Sequence, residues 1–328
     1  MNIWRGFDEI PSELRASVVT IGVFDGMHRG HKTLLDTAVG HGKKLGVPTV
    51  LLTFDPHPLA VLRPDRIPPM LATVAQRAKL AEAEGIDHML AMSFSADMAR
   101  LSPEEFFTQV IVNSLQAKAV VVGSNFTFGY KAAGTTDTLQ ELGEKYGVEV
   151  FVLNLLEEED EIICSTMIRG LLAQGDVARA NWALGRTFSV SGEVVRGAGR
   201  GGKELGFPTA NLYFPDSVAL PKDGVYAGWL RIVSTAPVEG DMQPGVRYPA
   251  AISVGDNPTF GDARRSVESY VINQDADLYG HTVEVEFVDF VRDMLTFSSV
   301  EELVETIKGD VRTTLEIVQR DDVTFNSQ

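Results

Sequence analysis

Past residue 186 the hydrophobic period of the chain changes from mixed to alternating, and few architectures accommodate both halves. Before that point short apolar runs, "SVVTIGVF", "VPTVLLTF", "AKAVVVGSNF" and "VEVFVLNLL", alternate with helical patterns such as "HKTLLDTAVGHGKKL" and "SPEEFFTQVIVNSL". That alternation predicts βαβ units around a parallel sheet. The second helix carries its own start signals: Ser102 as N-cap, Pro103 at the first helical position and Glu105 completing a capping box. After "GDVARANWALGR", the stretch "HTVEVEFVDF" places Val283, Val285 and Phe287 on one face and Glu284 and Glu286 on the other. "VYAGWLRIV", "PAAISVG" and "SVESYVIN" also read as strands, parted by the turn signals "PKDG" and "GDNPTFG". Six or so strands without intervening helices predict a small antiparallel barrel. Val300, Leu303, Val304, Ile307 and Val311 then repeat at helical spacing, so a helix closes the chain. Two domains are expected, residues 1–186 and 187–328.

The net charge of −16 argues against a general nucleic-acid or membrane surface, since both need cationic patches. Phosphate chemistry in such a chain must be local. Cys164 is the only cysteine, which excludes an intramolecular disulfide framework. "MNIWRGFDEI" lacks the apolar core of a signal peptide, and no apolar run approaches the ~20 residues of a membrane span. A cytoplasmic protein is expected, with a homo-oligomer left open. The acidic run at 157–161 reads as a solvated loop.

Residues 22–31, "GVFDGMHRGH", leave the first apolar strand through Gly22 and Gly26 and enter a helix. Small residues let backbone approach a ligand closely. His28 and His31 share a face near the positive end of that helix, with Gly30 between them leaving room for phosphate or base. Two imidazoles and free backbone N–H groups suit the charge that develops on a transferring phosphoryl group. A surface pair or a metal-binding pair is the plainer alternative, but no cysteine pair supplies further zinc ligands.

An HxGH element after the first strand of an α/β domain resembles the nucleotidyltransferase superfamily, and "GVFDGMHRGH" in full resembles its flavin adenylyltransferase branch. "TFDPHP" (53–58), "GSNFTFG" (123–129) and "CSTMIR" (164–169) follow in order. The resemblance implies a Rossmann-like nucleotidyltransferase domain in which Gly22, Phe24, Asp25, Gly30 and Asn125 bind ATP or phosphates. It further implies that Ser165, Thr166 and Arg169 hold the β- and γ-phosphates, and that Asp55, His57, Phe126 and Phe128 line the flavin side. Cys164 stands where that family usually shows serine.

In the second half "VRGAGRGGKELGFPTAN" satisfies G-x-G-x-x-G and begins like a P-loop, but Glu204 follows Lys203 where a P-loop needs Ser or Thr. Gly206 and Pro208 also preclude the long helix either motif requires. The stretch reads instead as a glycine-rich flap carrying Arg196, Arg200 and Lys203. "GFPTAN", followed by "DGVYAG", "NPTFG", "SVESYV" and "DLYG", resembles the riboflavin kinase family. That resemblance implies an antiparallel riboflavin kinase barrel with a C-terminal helix. Gly199 and Lys203 would face the ATP phosphates, Thr209 and Asn211 the phosphates and Mg²⁺, and Glu268 would be the general base. Taken together the chain is similar to bacterial bifunctional riboflavin kinase/FAD synthetases, with ATP, riboflavin and FMN as substrates. Another HxGH nucleotidyltransferase with a barrel module and a non-catalytic flavin carrier are the alternatives.

Overall fold

The structure is a computed structural model that describes residues 1–196, 206–256 and 265–325. The chain forms two compact units, Met1–Ser165 and Thr166–Gln328.

The first unit runs β1 (Asn2–Trp4), β2 (Ser17–Ile21), α1 (Arg29–Leu45), β3 (Thr49–Phe54), α2 (Leu59–Leu62), α3 (Val74–Ala83), β4 (His88–Met92), α4 (Pro103–Phe106), β5 (Ala117–Gly123), α5 (Thr136–Tyr146) and β6 (Glu149–Leu153). A two-stranded hairpin, β7 (Glu157–Glu158) with β8 (Glu161–Ile162), follows. All six strands of the main sheet are parallel, in the order β1-β4-β3-β2-β5-β6. Leu35, Val39, Ala78 and Ala81 of α1 and α3 cover one face with Leu51 and Met89. Phe106, Phe107, Val110, Ile111, Leu139 and Leu142 cover the other with Val19, Leu52 and Val120. A sheet buried on both faces requires near-continuous apolar strands, and β2 is buried along its whole length. The strand order reverses between β2 and β5, which makes the carboxyl end of β2 the topological switch point where ligands bind in such sheets.

Two local features go beyond the sequence reading. The capping box of Ser102 and Glu105 is present, but Phe107–Ser114 continue α4 as a π-helix, with Leu115 N–H donating to Val110 O at 3.0 Å. The 157–161 stretch is exposed as expected, apart from half-buried Glu158, and is ordered as a tight hairpin. Glu159 and Asp160 are both left-handed (φ 53° and 62°), as a two-residue hairpin turn of type I′ requires. Glu158 accepts two hydrogen bonds from the Arg29 guanidinium, at 2.6 and 2.7 Å.

At the sheet edge Trp4 stacks on His88, with ring centroids 4.6 Å apart. Burial holds the His88 imidazole below its ordinary value of 6.5, with the Asp87 carboxylate acting the other way. A histidine depressed in the folded state is neutral at no cost above its unfolded value, and the protein loses stability as pH falls below 6.5 toward the folded value. The urea midpoint of the wild type should therefore fall further between pH 7.5 and 5.5 than that of His88→Phe, which keeps the stack and cannot protonate. Equal falls in the two proteins would contradict this.

The second unit opens with α6 (Ser165–Gln174, of which Ser165 belongs to the first unit) and α7 (Val177–Leu184). The strands β9 (Phe188–Glu193), β10 (Thr209–Phe214), β11 (Gly224–Ile232), β12 (Glu239–Gly240), β13 (Arg247–Asp256), β14 (Arg265–Val271), β15 (Ala276–Asp277) and β16 (Thr282–Arg292) follow, then α8 (Val300–Phe325). Six of them form an antiparallel sheet in the order β10-β14-β13-β11-β16-β9, and β12 pairs with β15. A bridge between Val195 and Asn211 joins the two edges and nearly closes a barrel. Val283, Val285 and Phe287 are fully buried inside it, as the alternation predicts. Gly228 lets β11 and β16 approach closely, since a Cβ there would lie 1.9 Å from Glu286 O.

Glu284 and Glu286, on the other face of β16, are paired with arginines of the same sheet: Glu284 with Arg231 of the adjacent β11, and Glu286 with Arg247 of β13, one strand further, at 2.8 Å. Burial pushes the Glu286 carboxyl up, against the pull of Arg247. The C-terminal helix is tied to the same face, since Trp229 Nε1–H donates to Asp321 Oδ2 at 3.0 Å and Arg292 makes a two-pronged ion pair with Asp310.

Candidate active sites

The switch point of the parallel sheet gathers the ends of three strands. Gly22 follows β2, Asp55 follows β3, and Asn125 lies two residues past β5. His28 is the N-cap of α1, and its Nδ1 accepts from His31 N–H at 3.4 Å. The two imidazoles stack with centroids 3.6 Å apart and planes at 23°, and the Phe24 ring lies 5.0 Å from His31. A pair of rings at a helix N-terminus, where backbone N–H groups lack partners within the helix, favours negative charge. The space left by Gly30 is narrow: a Cβ would sit 3.2 Å from His28 Nδ1 and 3.3 Å from Ile163 O. Gly30 thus admits the His28 ring and the backbone at 163.

Phe24 and Asp25 are internal supports of the turn. Phe24 is 1% exposed, and Asp25 is 2% exposed with its carboxylate accepting from Leu71 N–H and Ala72 N–H at 3.0 to 3.1 Å. Ser165, first residue of α6, donates its hydroxyl to Asp25 O at 2.8 Å. Thr166 and Arg169 follow on that helix. Across the switch point, His57 Nδ1 accepts from Leu59 N–H at 3.1 Å. Phe126 and Phe128 stack with centroids 5.6 Å apart, Phe126 half-buried and Phe128 buried in the core against Phe106.

In the barrel the register is informative. Asn211 of β10 lies opposite Glu268 of β14, which in turn lies opposite Ser253 of β13. Thr209 lies opposite Tyr270. Alternation puts Thr209, Asn211, Glu268 and Tyr270 on one face. Asn211 is 6% exposed, and its Nδ2 donates to Thr209 O at 2.9 Å. With a second, longer bond from Nδ2 to Thr209 Oγ1 at 3.4 Å, the amide nitrogen is engaged by Thr209 and the oxygen is the acceptor presented elsewhere.

Residues 10–167 match the family model described as FAD synthetase, and residues 184–318 the one described as riboflavin kinase. The bifunctional riboflavin kinase/FMN adenylyltransferase of Pseudomonas fluorescens is 33% identical over 312 residues, 95% of this chain and 96% of that protein. The Escherichia coli K12 protein of the same description is 32% identical over 319 residues, 96% of this chain and 97% of the other. The chain belongs to the bifunctional riboflavin kinase/FMN adenylyltransferase family.

A crystal structure described as a macrolide-efflux protein from Streptococcus pneumoniae shares the fold, with a TM-score of 0.83 at 33% identity over 95% of this chain and 97% of that one. Among the described residues no helix is long and apolar enough to cross a membrane.

In bifunctional riboflavin kinase/FMN adenylyltransferase terms, the FAD synthetase half brings together His28, His31, Gly30, Phe24, Asp25 and Ser165 around one turn. The riboflavin kinase half brings together Thr209, Asn211 and Glu268. Gly199 and Lys203 lie outside the described residues. Cys164 is half-buried beside Ser165. Sequence reasoning missed the Arg29–Glu158 pair and Arg77, a buried cation beneath the histidine turn. Neither has a local signal, because charged residues on amphipathic helices and in acidic runs ordinarily face water.

Proposed function

We propose that the two activities of the family divide between the two halves, with adenylyl transfer on the His28–His31 turn and riboflavin phosphorylation on the Asn211–Glu268 row. The corresponding domains are 1–186 and 187–328. The observation that supports this best is that each half holds its own constellation, in the order in which the two family models match. In the barrel, Glu268 takes the proton from the ribityl 5′-hydroxyl as its oxygen bonds to the γ-phosphorus of ATP and the bond to ADP breaks. In the α/β half, an FMN phosphate oxygen attacks the α-phosphorus of a second ATP and pyrophosphate leaves. His28 and His31 stabilise the charge gathering on the α-phosphate. Gly22, Asn125 and Ser165 lie along the phosphates, and Asp55, His57 and the Phe126 face, backed by Phe128, border the flavin.

Thr209 and Asn211 fit Mg²⁺, since both offer oxygen donors and the Asn211 amide is turned with its nitrogen already engaged. Bound there, Mg²⁺ would neutralise phosphate charge in a protein of net charge −16. A cytoplasmic location, where ATP is supplied, belongs to the same reading.

The test is to incubate the purified protein with riboflavin, ATP and Mg²⁺ and to follow FMN and FAD by chromatography. FMN should appear first and FAD after it. EDTA in excess should stop riboflavin phosphorylation, and added Mg²⁺ should restore it. A protein that consumed neither riboflavin nor FMN would overturn the reading in favour of a flavin carrier or another nucleotidyltransferase.

A further inference from the structure

The turn that carries the histidines is strained. Phe24 (φ 52°) and Met27 (φ 45°) are both left-handed without being glycine. Such residues typically cost about 1–3 kcal/mol each and persist only where their surroundings over-determine them. The surroundings here are specific: Gly22 N–H donates to Leu52 O at 3.1 Å, the Asp25 carboxylate holds the backbone at 71 and 72, and Ser165 holds Asp25 O. The remaining support comes from below, from Arg77 on α3.

Arg77 is 2% exposed. One guanidinium nitrogen, Nη1, donates to Val23 O at 2.6 Å and to Thr53 Oγ1 at 2.7 Å, and the Thr53 hydroxyl itself donates to Val23 O at 2.9 Å. These three groups form a closed triangle between the residue after Gly22 and the penultimate residue of β3. Burial lowers the affinity of the guanidinium for its proton, and the negative charges of Asp25 and Asp55 act against that loss. Those two carboxylates lie on the two loops in question, two residues beyond Val23 and Thr53 respectively. A buried cation is a costly way to tie two loops, so what it secures is geometry rather than net stability.

We propose that Arg77 is a positioning residue for adenylyl transfer: by clamping Val23 to Thr53 it fixes the histidine turn relative to the Asp55–His57 segment, and so the ATP side relative to the flavin side. The inference rests on assigning adenylyl transfer to the first unit. Arg77 touches no reacting atom. It acts through Val23, five residues before His28, and through Thr53, four before His57. Misplacement of a reacting pair by about 1 Å can cost on the order of 100-fold in rate, so a clamp of this kind bears on kcat.

The experiment uses full-length Arg77→Met, Arg77→Lys and Thr53→Val, with kcat and KM for FAD formation from supplied FMN, riboflavin phosphorylation as an internal control, and urea unfolding. Arg77→Met should lower kcat for FAD formation about 10- to 100-fold. Its KM values for FMN and ATP should move far less, and riboflavin phosphorylation should stay near the wild-type rate. Arg77→Lys, which can donate to both oxygens, should recover part of the loss. Thr53→Val keeps the volume, removes one corner of the triangle and should reproduce the kcat defect more weakly, which covers the case in which Arg77→Met fails to fold. A folded Arg77→Met, or a Thr53→Val protein, with unchanged kcat for FAD formation overturns the proposal. Wild-type protein that makes no FAD at all would instead overturn the assignment on which it rests.

Discussion

Replacing His31 by alanine should lower the rate of FAD formation from FMN by about 10²- to 10³-fold, the usual cost of removing one group aimed at developing charge. Riboflavin phosphorylation should be untouched, so the variant incubated with riboflavin, ATP and Mg²⁺ should accumulate FMN. The magnitude follows from where the ring sits. His31 is the third residue of α1, stacked 3.6 Å from His28, whose Nδ1 accepts the His31 N–H. Removing the His31 ring leaves the N-cap and the backbone path of the turn in place, so the loss reports on charge stabilisation rather than on a collapsed loop. Chromatography of both products at matched protein concentration checks it, and a His31→Ala protein that still converts FMN to FAD within tenfold of wild type would remove the histidine from the mechanism.

How much of this was legible in advance depends on which force wrote each feature. The parallel sheet and the barrel are written in hydrophobic period, and strands such as β2 and β16 declare themselves because burial on two faces or on one face fixes the pattern. The PTAN row is legible only through resemblance, since a strand glutamate such as Glu268 ordinarily faces water. The π-helical continuation of α4 leaves no mark, because shifting hydrogen bonds from i+4 to i+5 asks for no special residue. Asp25 reads from sequence as a phosphate neighbour, yet its carboxylate is turned inward onto two backbone N–H groups. Arg77 reads as one more polar position on a helix of alternating small and charged residues. Only tertiary structure shows it 2% exposed beneath a strained turn. The residues proposed to touch substrate thus come from motif, and those that hold them come from packing, where a buried charge cannot be told from a solvated one.

Glu268→Gln should produce the mirror image of the histidine variant. The substitution keeps size and shape, so the β10-β14-β13 register that sets Asn211, Glu268 and Ser253 side by side survives it. What is lost is the ability to accept a proton, and loss of a positioned general base costs roughly 10²- to 10⁴-fold. Riboflavin should therefore persist in the reaction while FMN supplied from outside is converted to FAD at the wild-type rate. The isosteric change matters because Glu268 is half-buried on a central strand beside Asn211, where truncation could disturb the sheet. If Glu268→Gln phosphorylated riboflavin within tenfold of wild type, the carboxylate would be a spectator and the proton would have to leave the 5′-hydroxyl by way of solvent or the departing phosphoryl group itself. If it made neither FMN from riboflavin nor FAD from FMN, the two halves would not work independently. Opposite patterns in the His31 and Glu268 variants would thus be the sharpest evidence that one chain carries two separable chemistries, adenylyl transfer and phosphoryl transfer.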